Sequence, residues 1–125
     1  MKLQPDKSEV HVITGYGPGW LRVNADRLEH SVVIGARGER FAWDCARFED
    51  LSVEHFARLA ELDAELIVFG SGLKLRFPPP QWLRPLIARR IGVETMDTQA
   101  ACRTYNILAQ EGRTVVAALV LERSE

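Results

Sequence analysis

Four groups of side chains in this sequence are of types that can do chemistry. Gly70-Ser71-Gly72 follows the apolar run Glu65 to Phe69 (ELIVF). A glycine-rich turn just past the carboxyl end of a buried strand is where open α/β sheets bind ligands, because backbone amides can be approached closely there. The same residues lack the lysine and third glycine of the phosphate cradles, are not followed directly by a helix, and lack the GxSxG form of a nucleophile elbow. A tight structural turn is therefore the first reading of Gly70 to Gly72, and a ligand or partner contact the second.

His11, His30 and His55 fall in three separate elements without HxH or HExxH spacing, and neither Cys45 nor Cys102 has a Cys or His at ligand spacing. The expectation is no metal, no cofactor and no assigned catalytic residue, with both cysteines acting as small half-buried hydrophobes. Arg103, Tyr105, Asn106 and Arg113 form the densest set of specific polar side chains. Each has a structural use: a buried ring with a bonded hydroxyl for Tyr105, a fixed neighbouring loop for Asn106, a pair with Glu111 or a reach to a helix terminus for Arg113. The alternative is the wall of a pocket shared with Gly70 to Gly72 that takes a small molecule. The fourth group is a charge asymmetry. No acidic residue lies between Glu65 and Glu94, whereas Lys74, Arg76, Arg84, Arg89 and Arg90 do. Such a window is either a solvated surface or a basic docking surface for an acidic partner or an anion.

The elements that must position these groups read from periodicity. Val10 to Thr14, Trp20 to Val23, His30 to Ile34 and Arg40 to Trp43 are short apolar runs separated by Gly15 to Gly19, by Asn24 to Asp26, and by the GARG turn Gly35 to Gly38, the pattern of antiparallel hairpins. The period then changes to that of a helix at Val53, Phe56, Ala57 and Ala60, with Ser52 as its cap. ELIVF reads as a central strand and Leu73 to Phe77 as a short extended piece. A proline-led helix follows over Gln81 to Ile91. Its Pro85 requires a late start or a bend, Trp82, Leu83, Leu86, Ile87 and Ile91 form its apolar face, and Gly92 is its left-handed exit. Val93 to Met96 is a strand, Asp97 or Thr98 caps a third helix with Ala101, Thr104, Tyr105 and Leu108 inward, Gly112 stops it, and Thr114 to Leu121 (TVVAALVL) is a buried strand. Strand and helix alternate from Glu65 to Leu121, which predicts right-handed parallel crossovers.

With 125 residues, 46% hydrophobic and 26% charged, the chain fits one domain with an ordinary core. A net charge of -1 gives no global field to gather nucleic acid. No run reaches the length of a membrane span, and the start, MKLQPDKSEVHVITG, has neither an apolar signal core nor an Arg-rich presequence. Two cysteines do not make a disulfide framework, so the cytoplasm is the expected location.

The stretch Gly92 to Leu119, GVETMDTQAACRTYNILAQEGRTVVAAL, together with FGSG at Phe69 to Gly72, the proline-led helix and the N-terminal hairpin segment, resembles the Mth938-like family of domains of unknown function. Its eukaryotic relatives include an assembly factor for mitochondrial respiratory complex I. The short N-terminus makes this chain similar to a bacterial member. The resemblance implies a single three-layer α/β domain over residues 1–125, with a mixed central sheet and an added N-terminal β-hairpin, and no established catalytic residue. Positions matching the family are Gly70, Gly72, Met96, Thr98, Ala101, Arg103, Thr104, Tyr105, Asn106, Leu108, Glu111, Gly112 and Arg113, with no role implied for any of them. Two functions follow as expectations: a non-enzymatic interaction or assembly module with a protein partner, or a small-molecule binder or enzyme.

Overall fold

The most apolar run of the sequence lies at the centre of the molecule. In a computed structural model describing residues 10–122, β8 (Val115–Leu119) is the middle strand of a five-stranded sheet. The expectation that the chain start carries no leader falls largely on residues 1–9, outside the described range. The sheet order is β5 (Arg40–Ala42), β4 (Val32–Gly35), β8, β6 (Leu66–Gly70), β7 (Gly92–Met96). β7, β6 and β8 are mutually parallel, while β4 runs antiparallel to β8 and to β5, so the sheet is mixed.

Alternate side chains along these strands feed two cores, as the two-residue period requires. On one face Val33, Ile67, Phe69, Val116 and Ala118 meet α1 (Val53–Ala60) and α2 (Arg84–Ala88) through Phe56, Leu59 and Leu86. On the other, Val32, Ile34, Val68, Ala117 and Leu119 meet α3 (Thr98–Gln110) and a second sheet through Ala101, Cys102, Tyr105, Leu21 and Val23. The fold is three-layered, and because β8 lands beside β6 on the side away from β7, α2 and α3 cover opposite faces.

The second sheet extends the expected hairpin by one strand. It is a three-stranded meander of β1 (Ile13–Gly17), β2 (Trp20–Val23) and β3 (Asp26–Leu28). Gly15 and Gly17 lie inside β1, with a bulge between Ile13 and Gly15, rather than in a turn. Asp26 likewise opens β3, because Asn24 takes the left-handed conformation (φ 54°) and closes the β2–β3 turn in two residues. β3 is too short and polar to show a period.

The proline-led helix starts late, as expected. Pro80–Leu83 form a 3-10 turn, and Pro85 sits in the first turn of α2, where its missing N–H would be unpaired anyway. Two expectations fail here. Ile87 faces out and is 63% exposed, because so short a helix buries only Leu86. The left-handed exit is Arg90 (φ 59°), and Gly92 belongs to β7. The Ile91 N–H reaches the Leu86 carbonyl and the Arg90 N–H the Ile87 carbonyl, a Schellman closure. α3 ends in the same way, from Arg113 to Leu108 and from Gly112 to Ala109, with Gly112 (φ 81°) in the slot that Arg90 fills on α2. A side chain in that slot costs about 1–2 kcal/mol, and the freer unfolded glycine takes back part of it. Arg90→Gly is therefore expected to raise stability by about 0.5–1 kcal/mol in urea unfolding.

Candidate functional site

The Gly70 to Gly72 turn joins three elements. The Ser71 N–H donates to the Met96 carbonyl, the Thr98 N–H to the Gly72 carbonyl, and the Val120 N–H to the Gly70 carbonyl, each at 2.9 Å. The Thr98 hydroxyl accepts from the Gly72 N–H at 2.9 Å and donates to the Val120 carbonyl at 2.7 Å. Ser71, fully buried, donates its hydroxyl proton to the Lys74 carbonyl at 2.7 Å and accepts from the Arg76 N–H at 3.0 Å. The polar groups of the turn are thus engaged in tying the end of β6 to β8, to the β7–α3 junction and to the loop after it.

The polar set on α3 holds the meander in place. Asn106 accepts from the Ile13 N–H at 2.9 Å and donates to the Ile13 carbonyl at 2.8 Å, taking the place of a neighbouring strand for one residue of β1. Tyr105 donates its hydroxyl to the His11 carbonyl at 2.6 Å, and burial pushes that phenol well above its ordinary range. Arg103 donates to the Tyr16 hydroxyl at 3.1 Å. Arg113 pairs with Glu65 at 3.0 Å rather than with Glu111, at the opposite end of β6 from Gly70. Arg103, Tyr105 and Asn106 are brought together on β1. Arg113 is apart from them, and the cavity that Gly72 borders is lined instead by Gly17, Asp97, Thr98 and Glu122 among others.

Glu65 also accepts from the Thr114 N–H at 2.9 Å, and this bond first, then Arg113, holds its carboxyl below the usual range. A depressed folded-state pKa stabilises above the unfolded value and loses that contribution as pH falls through the folded one. The urea midpoint gap between the native chain and Glu65→Gln should therefore be open at neutral pH and narrow as pH falls below the ordinary glutamate value of about 4.3.

A cleft of about 710 Å³ opens beside the carboxyl end of β8, lined by Ser31, Cys45, Glu49, Leu73, Arg76 and Glu122 among others. Its polar groups are paired. Glu122 accepts from the N–H of Phe48 at 3.2 Å and of Leu73 at 3.0 Å, and Arg76 bridges Glu122 at 3.3 Å and Glu49 at 3.1 Å. The Ser31 hydroxyl accepts from the Leu121 N–H at 2.9 Å. Burial pushes the Cys45 thiol up to about 11, against a lowering hydrogen bond from Ser31, so it is protonated at neutral pH and is no thiolate nucleophile. Cys102 is pushed up to about 12, again by burial. Ser31 and Glu122 were not legible as site residues, because they come from distant stretches and carry no motif.

The histidines serve local structure. His55 Nδ1 accepts from the Ser52 N–H at 3.1 Å, which leaves the proton on Nε2 to donate to the Asp44 carbonyl at 2.7 Å. His11 and His30 contact the carbonyls of Gly38 and Ser31. Among the described residues no group of three His, Cys, Asp or Glu side chains could hold a metal ion, and no helix is long and apolar enough to cross a membrane.

The basic window divides in two. Arg76 is committed to its carboxylates, while Arg89 donates to the Ala60 carbonyl at 2.8 Å, at the end of α1, and stays exposed. Lys74, Arg84 and Arg90 are exposed and have no ion pair among the described residues. Beside them stand apolar side chains the periodicity did not mark as outward: Leu75 (53% exposed), Phe77 (69%) and Ile87. The arrangement offers apolar area and unpaired positive charge together.

Comparison with known proteins adds relatives to this geometry. A profile of the family described as "Protein of unknown function (DUF498/DUF598)" matches residues 13–120. The human NADH dehydrogenase [ubiquinone] 1 alpha subcomplex assembly factor 3 is 31% identical over 127 residues, an alignment that covers 94% of this chain and 65% of the human protein, so the chain spans under two thirds of that relative. A crystal structure of a Bordetella parapertussis protein superposes with a TM-score of 0.83 at 40% identity, covering 88% of this chain and 94% of that one. The solution structure of a Bordetella pertussis protein, described as a Mth938-like domain, gives a TM-score of 0.84 at 33% identity, covering all of this chain and 95% of that one.

Proposed function

The chain belongs to the DUF498/DUF598 family of proteins of unknown function, and from that membership we propose that it is a protein-interaction module acting in the assembly of a larger complex. The name of the human relative, an assembly factor for the respiratory NADH dehydrogenase, supports a protein partner and makes a respiratory complex the first process to examine. The observation that carries the reading is the 66–93 window, which holds no carboxylate and exposes Lys74, Arg84 and Arg90 without ion pairs among the described residues. A surface of one sign gathers partners of the other and fixes their register.

Affinity capture from extract of the source organism tests this. The native chain is expected to retain a specific protein. Lys74→Glu with Arg84→Glu should cut its recovery about tenfold or more while the melting temperature stays unchanged, since neither side chain has an ion pair among the described residues. Arg37→Glu, on the exposed turn between β4 and β5, should leave recovery as it was. An empty capture, or equal recovery with all three chains, contradicts the proposal.

A second reading rests on the cleft beside β8, whose size suits a small molecule. A ligand there has to exchange with the pairs of Arg76, Glu49 and Glu122. A metabolite panel in thermal shift is its check, and an unmoved midpoint throughout removes it.

A further inference from the structure

The loop from Leu73 to Phe77 is arranged inside out. Its arginine turns inward, where Arg76 is neutralised by Glu49 and Glu122, while Leu75 and Phe77 on either side stand in solvent. The display is held in place: the buried Ser71 hydroxyl clamps the backbone at Lys74 and Arg76, and Pro78–Pro80 follow at once. The chain then runs directly into a shallow groove between the start of α1 and α2, lined by Val53, Trp82, Arg84 and Pro85 among others. Apolar side chains fixed in the open are what a partner's burial rewards, and a preorganised loop loses little entropy on binding.

We infer that Leu75, Phe77 and the α2 groove form the docking face of the interaction module, and that its occupant is an acidic amphipathic segment of a protein partner. This rests on the interaction reading above and adds the place and the partner's chemistry. Charge complementarity sets the sign. The cations bordering the face, Lys74 and Arg84, have no ion pair among the described residues, whereas Arg76 has two. A basic segment would meet repulsion at Lys74 and Arg84, and a neutral one would leave both cations without partners.

The test is photo-crosslinking in cells with the full chain, placing benzoylphenylalanine at Phe77 and, as control, at Ile107, which is exposed on α3 across the sheet. Phe77 is expected to yield a protein adduct whose captured peptide interleaves apolar residues with Asp or Glu. Lys74→Glu with Arg84→Glu should reduce that adduct about tenfold or more, and Ile107 should not give it. If the Phe77 chain fails to fold, the probe goes at Leu75. A phospholipid adduct, which would make the face a membrane surface, a basic or neutral peptide, or the same adduct from Ile107 overturns the inference. So does an absent adduct while the native chain still captures its partner. An absent adduct together with an empty capture defeats the interaction reading as well.

Discussion

Gly70→Ala is expected to lose about 3 kcal/mol of stability, toward the upper end for overpacking a close-packed interior. A β-carbon there would stand 2.9 Å from the Thr98 Cα and 3.0 Å from both the Thr98 Oγ1 and the Leu119 Cδ2. The nearest obstacle is backbone. It cannot retreat cheaply, because Thr98 is bonded to Gly72 through its N–H and its hydroxyl and to Val120 through the hydroxyl. Relief at one contact therefore opens another. The midpoint of urea unfolding should fall with an unchanged slope, since the unfolded chain is barely altered. A stability loss below about 1 kcal/mol would show that the junction is looser than described.

Asn106→Ala should cost about 2–3 kcal/mol and act locally. Both backbone groups of Ile13, a residue only 4% exposed, lose their side-chain partner, and an unmade bond to a buried group costs about 1–3 kcal/mol. The β1–β3 meander is then attached to α3 by Tyr105, Arg103 and apolar contact. Hydrogen exchange should show early loss of protection in β1 and β2, with β8 still exchanging only by global unfolding. Asn106→Asp keeps the acceptor but turns a carboxylate toward the Ile13 carbonyl, so it should not rescue. Equal loss of protection across both sheets would mean that the meander is not a separate cooperative unit.

The main sheet was legible in the sequence for a physical reason. LIVF and VVAALVL are apolar at consecutive positions, and their short length and β-branched residues between turn signals mark strands covered on both faces. Ser52, Asp97 and Gly112 marked helix ends because their side chains, or the lack of one, meet a local backbone need. β3 escaped because three residues, two of them charged, carry no period. Arg90 escaped because nothing in an arginine announces a left-handed backbone. The polar residues of α3 were visible as an excess over what a helix needs, but the partner of Asn106, Ile13, lies 93 positions away, beyond any local signal. The outward turn of Leu75 and Phe77 was hidden for a related reason. Which way a short loop faces is decided by the ion pairs of Arg76, and those depend on Glu49 and Glu122, distant in sequence on either side.

Docking through the face at Leu75 and Phe77, with the α3 polar set as scaffold, separates binding from stability. The direct measurement is the dissociation constant of the captured partner for Leu75→Ser with Phe77→Ser and for Asn106→Ala, at a temperature where both chains remain folded. The first is expected to weaken binding about thirtyfold or more, as truncating central apolar anchors does, with its melting temperature held. The second should bind within about twofold of the native chain despite its lower stability, because its contacts are all internal. Full affinity in the Leu75 and Phe77 double variant, with binding lost in Asn106→Ala, would place the interaction on the α3 face and contradict the assignment.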